Sequence, residues 1–590
     1  MTKYNFILLS GDNEAFLKKL QSVGVVDITR STKPVDEKSE KLSARADIYR
    51  KALAALKDVQ PAEFADKTYG DLAVDVIETV NAKEAAQAQM SQLMKEYEER
   101  KVWGRFDAEN IKRLNEKGLK VHFYKAKDID SAWRENYALS EISNDGTSKY
   151  FVIVTDDENY EFPLKEMPAP DRDYVSIEKE MDALQYEIEK KDRHMAELKC
   201  HEKDIQKEHD KILSKLDLHL AHVSGTKAAA DTITIFEGFT PSENEQQLRD
   251  MLDKEDVLYL VDKAKVDDNP PIKLKNNKFV SMFEVLTDMY GRPKYDEFDP
   301  TVWISIFFML FFAFCMGDAG YGLILILVGL GLRKVLGKLT SLVITLGVAT
   351  TVVGTLFHTF FSTDMLTWSI LPDAVKKCML PAQIAGFDGT MVLAIIVGIV
   401  HICLAMIVKT YQSTKVKGFL NSLSTWGWTL LIVGGVIVGG LALIGVMDSA
   451  ITKIVIIVIG ILSALGIFFL NDLHRNPLLN FGSGLWETYN TATGLLGDVL
   501  SYLRLYALGL AGAKLGEAFN AIGLQALGDG GAGWIFFILI VLVGHVLNVA
   551  MCALGAFVHP LRLNFLEFFK NSGYEGSGRK YNPLSENVKN

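Results

Sequence analysis

The sequence predicts an α-helical polytopic membrane domain of eight helices, preceded by cytoplasmic α/β lobes that are joined by a long antiparallel coiled-coil arm. Two observations carry this prediction. Residues 1–300 are charged and rich in lysine and glutamate, whereas from Val302 onward long apolar runs alternate with short polar links. Within the charged part, apolar residues recur every three or four positions over about forty residues, the period of a coiled coil. We therefore expect two domains, 1–300 and 301–590.

The first predicted element is a small α/β lobe, formed by about residues 1–35 together with 220–265. Strand, helix and strand follow one another twice in these segments, at residues 3–9, 13–23 and 25–29 and again at 232–239, 242–252 and 257–261. Gly24 is a typical helix stop between the first helix and its strand. A second α/β lobe is predicted at about 115–165.

The arm is predicted from about residues 36–114 and 174–218. Steps of four and three residues from Ile177 meet an apolar side chain at all but three of the following positions: Ile177, Met181, Leu184, Ile188, Lys191, Met195, Leu198, Glu202, Ile205, His209, Ile212 and Leu216. One helix over this segment would be about 60 Å long. An amphipathic helix lying on a globular core is the alternative, but a repeat kept over five heptads favours an arm.

Eight apolar spans follow, at residues 302–316, 319–332, 339–361, 391–411, 425–446, 451–470, 491–522 and 533–569. The first two are short and are joined by the glycine-rich turn 317–322, which carries Asp318 at a depth where lipid is expected. The alternative is a single kinked helix, which would invert every later loop. Lysine and arginine in the loops favour eight spans, because most of them then lie on the cytoplasmic side.

Several functional classes find no support in the sequence. The net charge of -10 lies largely in the charged half and argues against nucleic acid as a partner. The five cysteines form no CxxC pair and no metal-ligand spacing, so neither disulfides, nor a metal, nor another cofactor is predicted. Because nucleotide-binding and hydrolase motifs are absent, the chain is not expected to be an enzyme on its own. No signal peptide is recognised at the N-terminus, which favours a cytoplasmic location for the charged half.

Arg504 is the strongest candidate for a functional residue. It has about ten membrane-compatible residues on either side, and a charged side chain near the centre of a bilayer costs a few kcal/mol or more. Arg562 lies nearer the end of its span, followed by Glu567 and Lys570. A snorkelling or interfacial charge is the alternative for both arginines, and it costs less for Arg562.

Polar or small residues form a stripe on the last predicted helix, at alternating steps of three and four: His545, Asn548, Cys552, Gly555, His559 and Arg562. Gly497, Ser501, Arg504 and Ala511 form a second such face on the preceding helix, where small residues would let a neighbour approach closely. We expect the two cationic helices to face one aqueous or protein-lined path. Helix packing remains the alternative role for His545.

Four motifs in chain order resemble those of subunit I, or subunit a, of the V/A-type rotary ATPases. They are Tyr-Gly-Arg-Pro at 290–293 ahead of Phe-Asp-Pro-Thr at 298–301, the turn at 317–322, the segment 497–511 around Arg504, and the segment 555–563 around Arg562. The resemblance covers nearly the whole chain. Cys552 departs from the eukaryotic pattern, which has a glutamate at this place, and this leaves the ion entry route less certain than the arginines.

The resemblance implies a non-catalytic stator subunit in a prokaryotic cell membrane, with the N-terminal half and the C-terminus in the cytoplasm. Its implied partners are the lipid bilayer, a ring of membrane c subunits, peripheral stalk subunits and a central-stalk connector subunit. Two ion half-channels would meet at Arg504 and Arg562. Candidate lining residues are His545, Asn548, His559, Ser501, Asp498, Glu487 and Asp318.

The chemistry of the arginines agrees with this implied role. An opposite charge within about 4 to 6 Å favours the ionised form of a ring carboxylate, and arginine is not itself deprotonated. The residues alone also allow a secondary transporter or channel with a cytoplasmic regulatory arm, but we find no paired broken helices of the kind that such transporters show. The sequence leaves open whether the ion is H⁺ or Na⁺, and whether ATP is made or hydrolysed.

Overall fold

The computed structural model describes residues 1–586 with these gaps: 32, 63–69, 106–107, 145, 158–159, 171, 256, 368–371, 373–375, 377–378, 382, 385, 471–476 and 528–532. The described chain divides into two compact units. The N-terminal unit contains Tyr4–Thr240, Asn244–Leu260 and the segment that begins at Pro583. The C-terminal unit contains Val261–Asn582 with the short pieces Met1–Lys3 and Pro241–Glu243.

Eight strands form two sheets associated with the N-terminal half of the chain: β1 Thr2–Leu9, β2 Asp27–Ile28, β3 Lys120–Ala126, β4 Leu139–Asn144, β5 Lys149–Thr155, β6 Thr226–Ala228, β7 Ile233–Thr240 and β8 Leu258–Lys263. The first sheet has the order β2-β7-β1-β8, with β6 paired to β7. Tyr4, Phe6 and Leu8 alternate with less buried residues along β1, as expected for a strand with one face on a core. The helices Asn13–Val23 and Glu245–Glu255 supply the rest of that core.

The C-terminal tail completes this core. Leu584 is fully buried among the side chains of the first sheet and its helices. Its backbone N–H donates to the carbonyl of Val26 over 2.8 Å. The tail therefore folds as a part of the N-terminal lobe, although more than 500 residues separate the two segments.

The second sheet is antiparallel, in the order β3-β5-β4, with a register shift between Glu141 and Ser143. Aromatic residues cover both of its faces. Trp103, Phe123 and Tyr150 pack on one side, and a separate cluster around Tyr124 and Phe151 packs on the other. The short helices Ala108–Glu116 and Ser131–Asn136 flank the sheet in sequence.

Four longer helices connect the two sheets: Glu37–Leu56, Leu72–Lys101, Tyr174–Lys199 and Glu202–Val223. The second and third of these pack together, and so do the first and fourth. The second and third helices run antiparallel, because Lys83 pairs with Asp192 whereas Glu96, further along the second helix, pairs with Arg172, just before the third. Most of the residues on the predicted seam are buried in these contacts.

The helix predicted over 177–216 is interrupted at Cys200 and His201. The N–H of Ala62 donates to the carbonyl of Ala196 over 2.9 Å. This is the acceptor that the N–H of Cys200 would use in a continuous helix, and that N–H bonds instead to the carbonyl of Glu197 over 3.1 Å. A passing segment of chain therefore explains the break, which the heptad pattern does not reveal.

The C-terminal unit is mainly helical. Its helices and short helical turns are Lys278–Ser281, Glu284–Tyr290, Thr301–Met316, Ala319–Gly331, Arg333–Leu336, Thr340–Leu356, Gly389–Lys417, Leu423–Thr429, Gly435–Leu443, Ser449–Phe468, Pro477–Leu527, Gly533–Arg562 and Phe569–Ser572. π-Helical turns at Leu430–Gly434 and Leu563–Phe568 connect some of them. Small two-stranded ribbons occur at Thr359–Phe360 with Thr363–Asp364 and at Gln383–Ile384 with Phe387–Asp388.

Six of the described helical stretches are long and apolar enough to cross a membrane: Arg333–Leu356, Gly389–Lys417, Leu420–Leu443, Ser449–Phe468, Leu478–Leu527 and Gly533–Ser572. The helices Thr301–Met316 and Ala319–Gly331 pass the same test only as a pair, and they are bent by 119° at their junction. Counting that pair as one span gives seven. The sequence-based count of eight, in which each half crosses separately, stays a prediction.

The bend is formed by the predicted turn. Gly317 ends the first helix with φ of +55°, a left-handed conformation that favours glycine. Asp318 then caps the second helix, since its carboxylate accepts from the N–H groups of Gly320 over 2.8 Å and of Tyr321 over 3.2 Å. The reversal of direction is thus encoded locally by these residues.

Candidate functional site

The candidate residues lie mainly on two packed helices, which we call the Arg504 helix, Pro477–Leu527, and the Arg562 helix, Gly533–Arg562. Their close approach depends on glycine. A Cβ atom on Gly512 would lie 2.5 Å from Sγ of Cys552, and one on Gly516 would lie 3.1 Å from the side-chain amide nitrogen of Asn548. Backbones can approach this closely only where side chains are small.

The predicted small residues are not the ones at this contact. Gly497 and Ala511 are exposed, and a Cβ on Gly497 would meet nothing within 4 Å. Gly512 follows Ala511 by one position, and one residue turns a helix by about 100°, which moves the contact to a different face. The spacing identified the correct helix but the wrong face for this packing.

Arg504 has no counter-charge within the described chain. The side chain is half-buried, and its Nη1 atom is buried without a hydrogen-bond partner among the described residues. Buried charges in proteins are normally paired or hydrogen-bonded, because desolvation without compensation is costly. Arg504 is therefore a cation whose partner is not supplied by the described part of this chain.

His559 lies near both arginines. It is within electrostatic range of both Arg504 and Arg562, and its Nδ1 atom is buried without a partner in the described residues. Arg562 itself is exposed, at the end of its helix. The structure thus brings three of the predicted residues together, with Arg504 as the more deeply placed cation.

The remaining stripe residues belong to a buried hydrogen-bond network. The hydroxyl of Tyr321 lies 2.8 Å from Nδ1 of His545 and accepts a hydrogen bond of 2.8 Å from the side-chain amide of Asn548. Nε2 of His545 lies 2.9 Å from Oδ1 of Asn520. Asn548 also donates to the carbonyl of Gly512 over 2.8 Å. Both ring nitrogens of His545 are engaged, which fits the packing role that the sequence left as the alternative.

Tyr321 and Asn520 were missed as candidates. Each is a polar side chain within an apolar segment, so the signal was present in the sequence. Tyr321 stands in the turn 317–322, and Asn520 lies on the Arg504 helix, where its amide donates to the carbonyl of Phe361 over 2.9 Å. Their partners lie far away in sequence, and spacing alone cannot pair them.

Asp318 is held by backbone amides rather than by a cation. Besides its helix cap, its carboxylate accepts from the N–H of Phe361 over 2.9 Å and from that of Ser362 over 2.6 Å. The side chain is buried. Through these bonds, Asp318 holds the turn at 317–322 against the loop around Phe361.

Acidic side chains meet on the N-terminal side of Arg504. Asp498 is buried, and its Oδ2 atom accepts from the side-chain amide of Asn571 over 2.7 Å. The same amide reaches the backbone carbonyl of Glu567 over 2.7 Å. The hydroxyl of Ser501 donates to the carbonyl of Gly497 over 3.1 Å and also interacts with the Glu567 side chain. Glu567 was treated only as a flanking charge in the sequence, although it also stands in an apolar run.

Glu487 does not join this group. It is half-buried and lies on the same helix as Asp498. Eleven residues of helix separate the two, which is about 16 Å along the axis. Its predicted place in an ion path remains a prediction.

A cavity of about 690 Å³ lies on the other side of Arg504. Its walls include the Arg504 helix from Tyr506 to Leu524 and the segment from Phe357 to Asp364. Ionisable side chains line it: His358, Asp364, Asp388, Tyr506, Lys514 and Glu517. Nδ1 of His358 lies 3.0 Å from Asp364, and Lys514 pairs with Glu517 over 2.7 Å. The cavity is large and polar enough to hold water.

Arg504 thus separates two polar regions along one helix. With a rise of 1.5 Å per residue, Asp498 lies about 9 Å before Arg504 and Glu517 about 20 Å after it. Across the described residues, no group of three or more histidine, cysteine or acidic side chains could hold a metal ion. The arrangement is a cluster of buried polar side chains on one side of a fixed cation and a cavity lined by ionisable side chains on the other.

Comparison with known proteins decides the family. The sequence model of the V-type ATPase 116kDa subunit family matches residues 19–341 and 490–586, more than half of the chain. The chain belongs to this family. The second matched segment contains both arginines, Asp498 and Glu567. The part of the cavity wall between Phe357 and Thr390 lies outside the matched segments.

Relatives in the V-type ATPase 116 kDa subunit family match to different extents. A V-type ATP synthase subunit I of Borreliella burgdorferi is 25% identical over 613 aligned residues, covering 99% of both chains. A V-type ATP synthase subunit I 1 of Treponema pallidum is also 25% identical, with 99% of both chains covered. An A-type ATP synthase subunit I of Methanocaldococcus jannaschii is 33% identical over 54% of this chain and 49% of its own length.

Proposed function

We propose that this chain is the membrane stator subunit of a V/A-type rotary ATPase in a bacterial or archaeal membrane. It forms the two paths by which H⁺ or Na⁺ reaches and leaves a rotating ring of c subunits. The observation that carries the proposal is the guanidinium of Arg504, which has a buried, unpaired Nη1 atom and lies between the buried acids around Asp498 and the cavity. Its family membership and the subunit I names of its relatives support the same function.

Arg504 acts on a carboxylate that another subunit supplies. A carboxylate that arrives opposite a fixed guanidinium is favoured in its ionised form, because an opposite charge within about 4 to 6 Å lowers its pKa by one to three units. The carboxylate then releases its ion. Since arginine stays protonated, Arg504 does not relay the proton itself.

Separate compartments prevent a leak. An ion that enters through the cavity cannot pass Arg504 along this chain, because the fixed positive charge repels it in a poorly hydrated environment. It crosses only on the ring carboxylate, which returns after nearly a full rotation to the compartment that contains Asp498. Movement of ions is thereby tied to rotation.

The proposed domain organisation follows from this function. Residues 1–300 form a cytoplasmic stator arm that binds peripheral stalks, and residues 301–590 form an eight-helix membrane domain that also meets the central-stalk connector. The bend of 119° reverses the direction of the chain between the paired helices, as two separate crossings require. ATP is hydrolysed or made on other subunits of the complex.

The test uses the whole complex in reconstituted vesicles. Arg504→Ala is expected to copurify with its partner subunits and to lose ATP-driven ion uptake, measured with a pH-sensitive dye and with radiolabelled sodium. Lys453→Ala is the matched control, because Lys453 is an exposed cation on another apolar helix and should leave uptake unchanged. Near-normal uptake of either ion by the Arg504→Ala complex would overturn the proposal.

A further inference from the structure

We propose that Glu567 is the side chain that binds and releases the transported ion on the Asp498 side of Arg504, with Asp498 as its fixed partner. The inference rests on the proposed function and names the residue that serves one of the two paths. Its ligand is a monovalent cation, either a proton or a sodium ion. The proposal stands on burial, on an unused acceptor atom, and on the helix geometry that places both.

The first observation is an unused carboxylate oxygen. The Glu567 side chain is only 4% exposed, and its Oε2 atom is buried with no hydrogen-bond partner among the described residues. A buried charged group that lacks a partner costs free energy. A site that leaves a buried carboxylate oxygen without a partner is suited to a ligand that binds and dissociates.

Helix geometry turns this side chain inward. The Arg562 helix continues as a π-helical turn at Leu563–Phe568, and such turns are frequent at functional sites. Leu566 is exposed, whereas the next residue, Glu567, faces the Arg504 helix and interacts with Ser501. In this turn the Glu567 side chain therefore points toward Ser501, whereas the Leu566 side chain is exposed.

Asp498 and Glu567 play different parts because Asn571 contacts them differently. Its side-chain amide donates to the carboxylate of Asp498 but only to the backbone carbonyl of Glu567, each over 2.7 Å. Asp498 is thereby held in place, and the carboxylate of Glu567 stays available. Two buried acids close to each other cannot both remain ionised without compensation, so the pair favours one bound cation.

Other charged and titratable groups surround the pair. Arg562 lies within electrostatic range of Glu567. Lys570 reaches the Arg504 helix near Gly494. His401 stacks on Phe568, and its Nδ1 atom lies 2.9 Å from the hydroxyl of Tyr502.

The proton step balances on named atoms. A hydronium ion gives a proton to the ionised Glu567 and leaves as water, and the O–H bond so formed breaks when an ionised ring carboxylate takes the proton. Glu567 is then ionised again, and the opposite order applies in the opposite direction. For sodium, coordination by the carboxylate replaces the O–H bond.

Variants of the whole complex test this role. Glu567→Gln is expected to lower ATP-driven ion uptake by about a hundredfold or more, the usual effect of removing a proton-transferring side chain. Glu567→Asp should restore part of the uptake with a shifted pH profile or a shifted half-saturating sodium concentration. Glu575→Gln is the control, because Glu575 is an exposed acid of the same chain segment that pairs with Lys294.

Chemical labelling gives an independent measurement on the wild-type complex. An apolar carbodiimide reacts with protonated buried carboxyl groups, and mass spectrometry identifies the modified residue. For a proton site, labelling of Glu567 should rise as the pH falls. For a sodium site, sodium should suppress the labelling at constant pH.

Two results would overturn the inference. One is ion uptake by the Glu567→Gln complex within twofold of the wild type while the Arg504→Ala complex is inactive. That result would contradict the role of Glu567 but not the proposed function. The other is labelling of Glu567 that changes with neither pH nor sodium, or no labelling at any pH. Activity of Arg504→Ala would instead contradict the proposed function itself.

Discussion

The hydroxyl of Tyr321 lies 2.8 Å from Nδ1 of His545, although the two residues are 224 positions apart. Both side chains are buried, and the same hydroxyl accepts from Asn548. One oxygen atom therefore links the turn after the first apolar helix to the Arg562 helix. This bond fixes one helix of the candidate ion paths against a distant part of the same unit.

Tyr321→Phe should destabilise the C-terminal unit by about 1–3 kcal/mol, because the side chains of His545 and Asn548 lose a buried partner. The expected measurement is a lower thermal unfolding midpoint of the purified complex. Tyr411→Phe is the control, since Tyr411 is 68% exposed and should leave the midpoint unchanged. Equal midpoints for the wild type and Tyr321→Phe would show that the hydroxyl contributes nothing.

Leu184→Asp combined with Leu198→Asp should disrupt the packing of the arm helices. Leu184 is 9% exposed and Leu198 is fully buried. Each aspartate that stays buried should lower the free energy of unfolding by about 2 to 5 kcal/mol. We expect loss of peripheral stalk subunits in pull-downs while the C-terminal unit remains folded. A control with Gln185→Asp and Tyr186→Asp alters exposed positions of the same helix. Normal recovery of stalk subunits with the first pair would mean that the arm does not bind them.

The arm should become less stable in acid, because protonation of Glu96 removes its ion pair with Arg172. Arg172 lowers the pKa of Glu96, so its contribution is present above the pKa of the unfolded chain and is lost as the pH falls through the lower pKa of the folded chain. Arg172→Ala should cost about 1 kcal/mol at neutral pH, or about fivefold in hydrogen exchange of arm peptides. The difference from wild type should shrink near pH 3, after correction for intrinsic exchange rates. Arg50→Ala, which removes an exposed pair with Asp47, should have a smaller effect.

The eight-span topology predicts opposite sides for two exposed loop residues. A cysteine at Asp448 should react with an impermeant thiol reagent in intact cells, whereas a cysteine at Lys338 should react only after permeabilisation. The wild-type chain with only its native cysteines provides the background. The reverse pattern would favour a single kinked span for the helices Thr301–Met316 and Ala319–Gly331.

Local patterns predicted much of the secondary structure. The strand at 3–9 is β1, which alternates as expected, and Gly24 ends the first helix with φ of +68°. The predicted helix over 177–216 is two helices, Tyr174–Lys199 and Glu202–Val223, because the N–H of Ala62 donates to the carbonyl of Ala196 at the break. The heptad pattern cannot show this competition, because Ala62 and Ala196 are distant in sequence.

The candidate site was predicted less completely. His559 lies within electrostatic range of Arg504 and Arg562, and the role of these three residues in an ion path stays a prediction. The packing glycines are Gly512 and Gly516, and a shift of one residue was enough to misplace that face. Hydrophobic spacing shows which residues share a face of a helix. In a nearly all-apolar helix it does not show which of those faces packs against the neighbouring helix.

The sequence by itself determined the division into a charged half and an apolar half, the helix that carries Arg504, and the turn at Gly317, because each depends on neighbours along the chain. Only the tertiary structure decided that Glu567 turns toward Asp498 and Ser501 and that Leu584 fills the core of the first sheet. These positions depend on contacts between segments far apart in sequence. The free energy of such contacts comes from burial and hydrogen bonding in three dimensions, which no local pattern records.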